Sequence, residues 1–169
     1  DTVDAVTAKR KSEAWLAIHG VAINANLPQL EEPSELLPRS ANEVATRAWV
    51  LAHIVYLGYG SSGAKILELL CKARLDQFLS DRETELCHAT NFTAEQKAWA
   101  AWHCEALHGC AWALGMVSTA PLDPCPDTLA SMFALNTDPW PSIERAELRE
   151  YDQIYLRTDT MYRLHWAAV

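Results

Sequence analysis

Five acidic or basic residues interrupt segments that otherwise have the pattern of apolar helices. They are Arg47, Glu105, Asp152, Arg163 and His165. Burying such groups is costly unless they are paired. A glutamate in the middle of an apolar helix needs a cation, so we expect Arg47 or Arg163 to be the partner of Glu105. The five residues then either form a structural network that fixes how three helices dock or line a functional cleft.

Cysteine and histidine residues suggest two further kinds of chemistry. Cys104 and His108 are four residues apart and share one helix face, and Cys87 with His88 would complete a zinc site. No CxxC or HExxH motif supports this hypothesis, and we predict neither a metal nor a cofactor. A histidine beside Cys104 or Cys110 would instead lower the pKa of a thiol, but no third, orienting group is evident.

The glycine-rich segment from Gly58 to Gly63 is a third candidate site. It leads into a predicted helix, and glycines at a helix N-terminus can hold a phosphate group. The segment follows a helix instead of a strand, however, and Lys65 is displaced from the P-loop position. A turn between two helices is therefore the favoured interpretation.

Helical periodicity and capping motifs predict an all-α fold. Ser40, Ser80 and Thr93 each precede a glutamate or glutamine by three residues, which is the capping-box pattern at a helix start. The predicted helices lie at about 4–19, 40–58, 62–73, 80–88, 94–115, 127–135 and 148–169. The segment 21–39 contains three prolines and is predicted to be extended.

We predict that residues 1–169 form a single compact domain of six to eight helices, packed at orthogonal or irregular angles around helix 94–115. That segment is apolar over most of its circumference, which is typical of a helix that others cover. Six tryptophans fall at helical core spacing and are expected to be buried. They are Trp15, Trp49, Trp99, Trp102, Trp112 and Trp166. Trp140 lies between two prolines and is expected near the surface.

Composition limits the possible partners. Fourteen basic and twenty-two acidic residues give a net charge of -8, and there is no basic run, so we predict that the chain binds neither nucleic acid nor membrane. No apolar run reaches the roughly 20 residues of a membrane span. The five cysteines fit reduced thiols in a cytoplasmic protein. The predicted partner is another protein, and the oligomeric state stays open.

Several motifs together resemble one known family. They are Lys11-Ser12-Glu13-Ala14, Ile23-Asn24 with Leu27-Pro28, Glu43-Val44-Ala45 with Arg47-Ala48, Glu105-Ala106 with Trp112-Ala113-Leu114-Gly115, and Tyr162-Arg163-Leu164-His165-Trp166-Ala167. From about residue 10 to 169 the chain resembles the domain of unknown function 4272 family. The resemblance implies a bacterial, all-helical, single-domain protein and supplies no catalytic residues. His103 departs from the pattern, which leads us to expect an arginine or another polar residue there.

The first hypothesis of function is a non-enzymatic protein-binding module of adaptor or immunity type. The chain is small and acidic, and it has no recognised catalytic motif. Its binding surface would be an exposed acidic or apolar patch around Glu31, Glu32, Glu35 and Trp140.

The second hypothesis is an enzyme or small-ligand-binding protein with a polar cleft. Arg47, Glu105, Arg163 and His165 would line this cleft. His165 would act as acid or base, and the arginines would hold an anionic group.

Overall fold

The computed structural model describes residues 3–168 and confirms the all-α prediction. These residues form seven α-helices, three short 3₁₀ helices and no strand. The α-helices are α1 (Ala5–Ile18), α2 (Ala41–Gly58), α3 (Gly63–Lys72), α4 (Asp81–His88), α5 (Ala94–Ala113), α6 (Trp140–Glu144) and α7 (Tyr151–Ala167). The 3₁₀ helices are Pro33–Glu35, Asp76–Phe78 and Ala130–Met132.

The three predicted capping boxes are confirmed. The side chains of Ser40, Ser80 and Thr93 each accept a hydrogen bond from the backbone N–H three residues later. The glutamate or glutamine at that later position accepts a hydrogen bond from the backbone N–H of the cap in return. Each box thus satisfies two N–H groups that have no partner inside the helix.

Two of the predicted helix ends also follow from local chemistry. Gly20 and Gly115 lie just beyond α1 and α5 with φ angles of 69° and 71°. This left-handed conformation ends a helix and is unstrained only in glycine. The last predicted helix is present as α7, and Val169 lies outside the described residues.

The region between α5 and α7 differs from the prediction. The predicted helix 127–135 is wrong, since Ala130–Met132 forms only a 3₁₀ turn. A short helix, α6, begins at Trp140, in a segment where the sequence predicted no helix. Pro141 is tolerated there because the first turn of a helix has no intrahelical partner for its N–H groups.

The described residues form two compact units. The first combines the residues up to Pro38 with 119–123 and with the residues from Arg149 onward. The second consists of 39–118 and 124–148. The expectation of a single domain stays a prediction.

In the first unit, α1 packs against α7, and the extended segment 21–38 is held by hydrogen bonds to its backbone. Nζ of Lys9 donates to the carbonyl oxygens of Ala25 and Leu27 at 3.0 and 2.8 Å. The hydroxyl of Tyr155 donates to the carbonyl oxygen of Glu31 at 2.8 Å. Side chains of α1 and α7 thus satisfy carbonyl groups that an extended segment leaves unpaired.

In the second unit, α2 is the most buried helix, and the prediction that helix 94–115 is the central one is wrong. Eleven residues of α2 are buried, against four of α5. No charged residue lies between Ala48 and Leu57 of α2, whereas α5 includes Glu95, Lys97 and Glu105. Charged groups stay in water unless they are paired, so α5 lies with one side exposed.

Gly58 permits a close contact between α2 and α5. A Cβ atom at this position would lie 2.5 Å from the backbone nitrogen of Ala101. Because glycine has no Cβ, the end of α2 can approach the backbone of α5 without a clash. The segment from Gly58 to Gly63 forms the predicted turn between two helices, α2 and α3.

Candidate functional site

The five polar residues selected from the sequence are distributed over both units. Arg47 and Glu105 lie on α2 and α5, and Asp152, Arg163 and His165 lie on α7. Glu105 and His165 are exposed and Asp152 is half-buried. The prediction that Glu105 is buried beside an arginine is therefore wrong. Each arginine pairs with a carboxylate that the sequence analysis did not select.

Arg47 forms a bidentate ion pair with Glu83 of α4. Nη1 lies 2.9 Å from Oε2, and Nη2 lies 2.6 Å from Oε1. Nε2 of His103 lies 3.2 Å from the same Oε1, and the backbone N–H of Ser80 donates to Oε2 at 2.9 Å. One carboxylate on α4 thus binds side chains of α2 and α5 through charge-assisted hydrogen bonds.

Glu83 is ionised although its side chain is only 1% exposed. Burial by itself raises the pKa of a carboxyl group. The hydrogen bonds from His103, Arg47 and the Ser80 backbone outweigh burial and hold the pKa of Glu83 well below its usual value. In turn, the hydrogen bond to Glu83 raises the pKa of Arg47, against the effect of burial.

His103 uses both ring nitrogens in this network. Nδ1 lies 2.9 Å from the carbonyl oxygen of Trp99, and Nε2 faces Glu83. Both ring nitrogens of His103 are therefore engaged within the chain. The ring also meets Trp99 edge-on at 4.3 Å, and the guanidinium of Arg82 lies 4.1 Å from the centroid of Trp99. These contacts fix the orientation of the imidazole ring.

The sequence analysis missed Glu83 because this residue has a familiar local role. It is the third residue of α4 and the acceptor of the Ser80 capping box. A capping-box glutamate is ordinarily a surface residue, as Glu43 is in the Ser40 box. One feature of the sequence did indicate that Glu83 is buried. Leu86 and Cys87, three and four residues later on the same short helix, are apolar, and the structure buries both.

In the first unit, Arg163 is 2% exposed and pairs with Asp159 on the same helix. Its Nε and Nη2 atoms lie 2.8 and 3.0 Å from the two carboxylate oxygens. Nη2 also donates to the carbonyl oxygen of Pro28 at 3.2 Å, and Nη1 lies 3.6 Å from Oε1 of Glu13. Arg163 thus connects α7 to the segment that contains Pro28. Its role in this unit is structural.

The described residues give no support to metal or thiol chemistry. Within them, no group of three or more Cys, His, Asp or Glu side chains could hold a metal ion. Cys104 and His108 are therefore not part of such a group. Burial raises the pKa of the Cys87 thiol to about 11 and that of Cys125 to about 12, and it also raises the pKa of Cys110. Such thiols stay protonated at neutral pH and are poor nucleophiles.

Two tryptophans expected in the core lie at the surface. Trp102 is 69% exposed and Trp166 is 49% exposed, whereas Trp49 is buried as predicted. Trp140, expected near the surface, is half-buried, and its indole N–H donates to the carbonyl oxygen of Ala73 at 2.8 Å. Trp140 is therefore bonded within the second unit instead of being free to contact a partner.

Of the acidic residues expected beside Trp140 in a binding patch, Glu31 and Glu35 are exposed. The carboxylate of Glu32 accepts a hydrogen bond from the backbone N–H of Ala5, the first residue of α1, at 3.2 Å. Glu32 thus has a local structural role, because it satisfies one of the free N–H groups at a helix start.

Trp102 belongs to an exposed face of α5. Six residues share this face, each of them three or four positions from another member, and all are exposed. They are Glu95, Ala98, Trp102, Glu105, Ala106 and Gly109, and we call them the Trp102 face. A Cβ atom at Gly109 would meet no atom within 4 Å. The face therefore combines one large aromatic side chain with small residues and two carboxylates.

The described residues thus form an all-α fold that contains ion-pair networks around Glu83 and Arg163 and the exposed Trp102 face. The chain belongs to the family described as Domain of unknown function (DUF4272), whose model matches residues 8–169. The family resemblance seen in the motifs is thus confirmed. No curated protein and no solved structure shows significant similarity to the chain.

Among residues 3–168, none of the helices is both long enough and apolar enough to cross a membrane. The bacterial origin and the cytoplasmic location stay predictions.

Proposed function

We propose that this protein is a non-enzymatic protein-binding module and that the Trp102 face is its binding surface. The main support is Trp102, whose side chain is 69% exposed in the middle of a regular helix. An indole in water forfeits the free energy that its burial would release. Tryptophan is also among the residues most enriched at the energetic centres of protein interfaces.

Gly109 supports the same proposal. Glycine inside a helix is less stable than alanine by about 0.5–1 kcal/mol. The space above Gly109 is open, so packing within the chain gives no reason for this glycine. A residue without a side chain does allow the backbone of a partner helix to approach closely, and Ala98 and Ala106 extend the low surface beside Trp102.

Charge indicates the kind of partner. Glu95 and Glu105 flank Trp102, no basic residue belongs to the face, and the chain has a net charge of -8. A complementary surface has basic residues around an apolar centre. We therefore propose that the partner presents a basic amphipathic helix, which is a common way for one helix to recognise another.

The polar networks favour this proposal over an enzyme. Arg47, Glu83 and His103 satisfy one another, and Arg163 is paired with Asp159. A catalytic group needs a proton or a lone pair that is available to the substrate. The three pockets described for this structure are lined by none of the four residues that the cleft hypothesis selected.

Two designed helical peptides test the proposal. Both have the same apolar stripe, but one has lysines and the other glutamates on its polar face. We expect the lysine peptide to bind in a fluorescence-anisotropy titration and Trp102→Ala to weaken its binding by about tenfold or more. The matched control is Trp166→Ala, which removes an exposed tryptophan from α7 and is expected to leave the affinity unchanged.

Any one of three results would contradict the proposal. The first is equal binding of the two peptides, the second is an equal loss of affinity in both alanine variants, and the third is no binding of either peptide. Sedimentation of the wild-type protein tests whether a second copy of the chain binds the Trp102 face instead. A dimer in the wild type that is lost in Trp102→Ala would overturn the proposal of a basic partner.

A further inference from the structure

The second unit contains a pocket with a volume of about 430 Å³ and a lining of mixed polar and apolar residues. Its buried floor includes Trp49 and Phe133, whose rings meet edge to face with centroids 5.2 Å apart and an interplanar angle of 89°. Leu114, Met116 and Met132 contribute further apolar surface. This volume lies within the range of about 300–1,000 Å³ that is typical of small-molecule sites.

Two of the residues that line the pocket carry donors that cannot accept. Trp49 is buried and has an indole N–H. At the rim, Nε of Arg145 donates to the carbonyl oxygen of Pro141 at 2.9 Å, which orients the guanidinium. Because indole and guanidinium groups donate and never accept, a ligand here must supply the acceptors.

We propose that this pocket binds a small carboxylate with an aromatic or aliphatic body. The apolar body packs against Trp49 and Phe133. The carboxylate faces Arg145, whose Nη groups donate to carboxylates in bidentate geometry. Glu147, on the same rim, disfavours a second negative charge on the ligand. The site is separate from the Trp102 face, since none of its lining residues belongs to that face.

Phenylbutyrate and phenylbutylamine are suitable probes because they share one apolar body and differ in charge. We expect isothermal titration calorimetry to show binding of the carboxylate and binding of the amine that is at least about tenfold weaker. Arg145→Gln should reduce the affinity for phenylbutyrate by about tenfold. The control Arg39→Gln removes an exposed arginine that pairs with Glu43 and is not among the pocket-lining residues, and it should leave the affinity unchanged.

A second variant, Ala146→Phe, places a large side chain in the pocket. We expect it to abolish binding of both probes while the far-UV circular dichroism stays that of the wild type. The proposal is overturned if phenylbutyrate does not bind the wild type, or if the amine binds more tightly. It is equally overturned if Arg145→Gln and Arg39→Gln have the same effect. The comparison of Arg145→Gln with Arg39→Gln does not depend on whether Ala146→Phe folds. Arg145→Gln itself is expected to fold, because Arg145 is exposed.

Discussion

Arg47 binds both carboxylate oxygens of Glu83 although the two residues are 36 positions apart in the sequence. The pair connects α2 with α4, and His103 adds α5 to the same carboxylate. Glu83 is buried, whereas the Arg47 side chain is 40% exposed. The carboxylate of Glu83 therefore depends on Arg47 more than Arg47 depends on the carboxylate, because Arg47 retains contact with water.

Arg47→Met is expected to lower the free energy of unfolding by about 2–3 kcal/mol, because it removes the arginine that pairs with a buried carboxylate. The value is smaller than for a fully buried pair since solvent already screens Arg47. Arg39→Met is the matched control, because Arg39 pairs with an exposed glutamate four residues later. Urea unfolding of both variants tests this expectation, and equal midpoints would contradict it.

The pH dependence of stability should depend on Glu83. Its pKa in the folded protein is lowered from 4.5, so its stabilising effect is fully present above about pH 4.5 and is lost as the pH falls below that value. We expect the stability difference between wild type and Glu83→Gln to shrink as the pH falls from about 6 to about 3. Urea midpoints measured across this range give the difference.

Glu43→Gln is the control for the pH experiment. Glu43 has the same capping-box role in α2, and its pKa is lowered by the hydrogen bond from the Ser40 backbone, but it is exposed. Its contribution should be much smaller at every pH. If Glu43→Gln and Glu83→Gln gave parallel profiles, burial of the Arg47–Glu83 pair would have no special effect on the stability.

Two helical glycines should respond to alanine in opposite directions. Gly58→Ala places a Cβ against the backbone of Ala101 and is expected to destabilise the protein by about 1–3 kcal/mol. Gly109→Ala meets open space and should stabilise the protein by about 0.5–1 kcal/mol. Thermal unfolding compares the two. Under the proposed function, Gly109→Ala should also weaken binding of the lysine peptide, and unchanged binding would show that Gly109 has no role there.

Removal of Arg163 should release the extended segment 21–38. Arg163→Met leaves Asp159 buried without its cation, which costs about 3–5 kcal/mol, and it removes the hydrogen bond to Pro28. We expect proteinase K to cleave this segment faster in Arg163→Met than in Arg10→Met, which changes an exposed cation on α1. Equal cleavage rates would mean that Lys9 and Tyr155 hold the segment without Arg163.

Local chemistry by itself determined six of the seven α-helices that the structure describes, all but α6. The capping boxes at Ser40, Ser80 and Thr93 and the left-handed glycines at 20 and 115 act through hydrogen bonds within a few residues, so they can be predicted from the sequence. The prolines of segment 21–38 likewise predicted that it forms no α-helix, because proline disfavours a helix interior.

Which groups meet was decided only by the tertiary structure. Periodicity identifies an apolar face but not how completely other helices cover it, so α5 was wrongly placed at the centre and Trp102 was wrongly placed in the core. Similarly, Glu83 and Glu105 are chemically equivalent as partners for Arg47 when only the sequence is considered. Packing buries the first against Arg47 and leaves the second in water, because pairing over long sequence distances follows from how helices dock and not from local pattern.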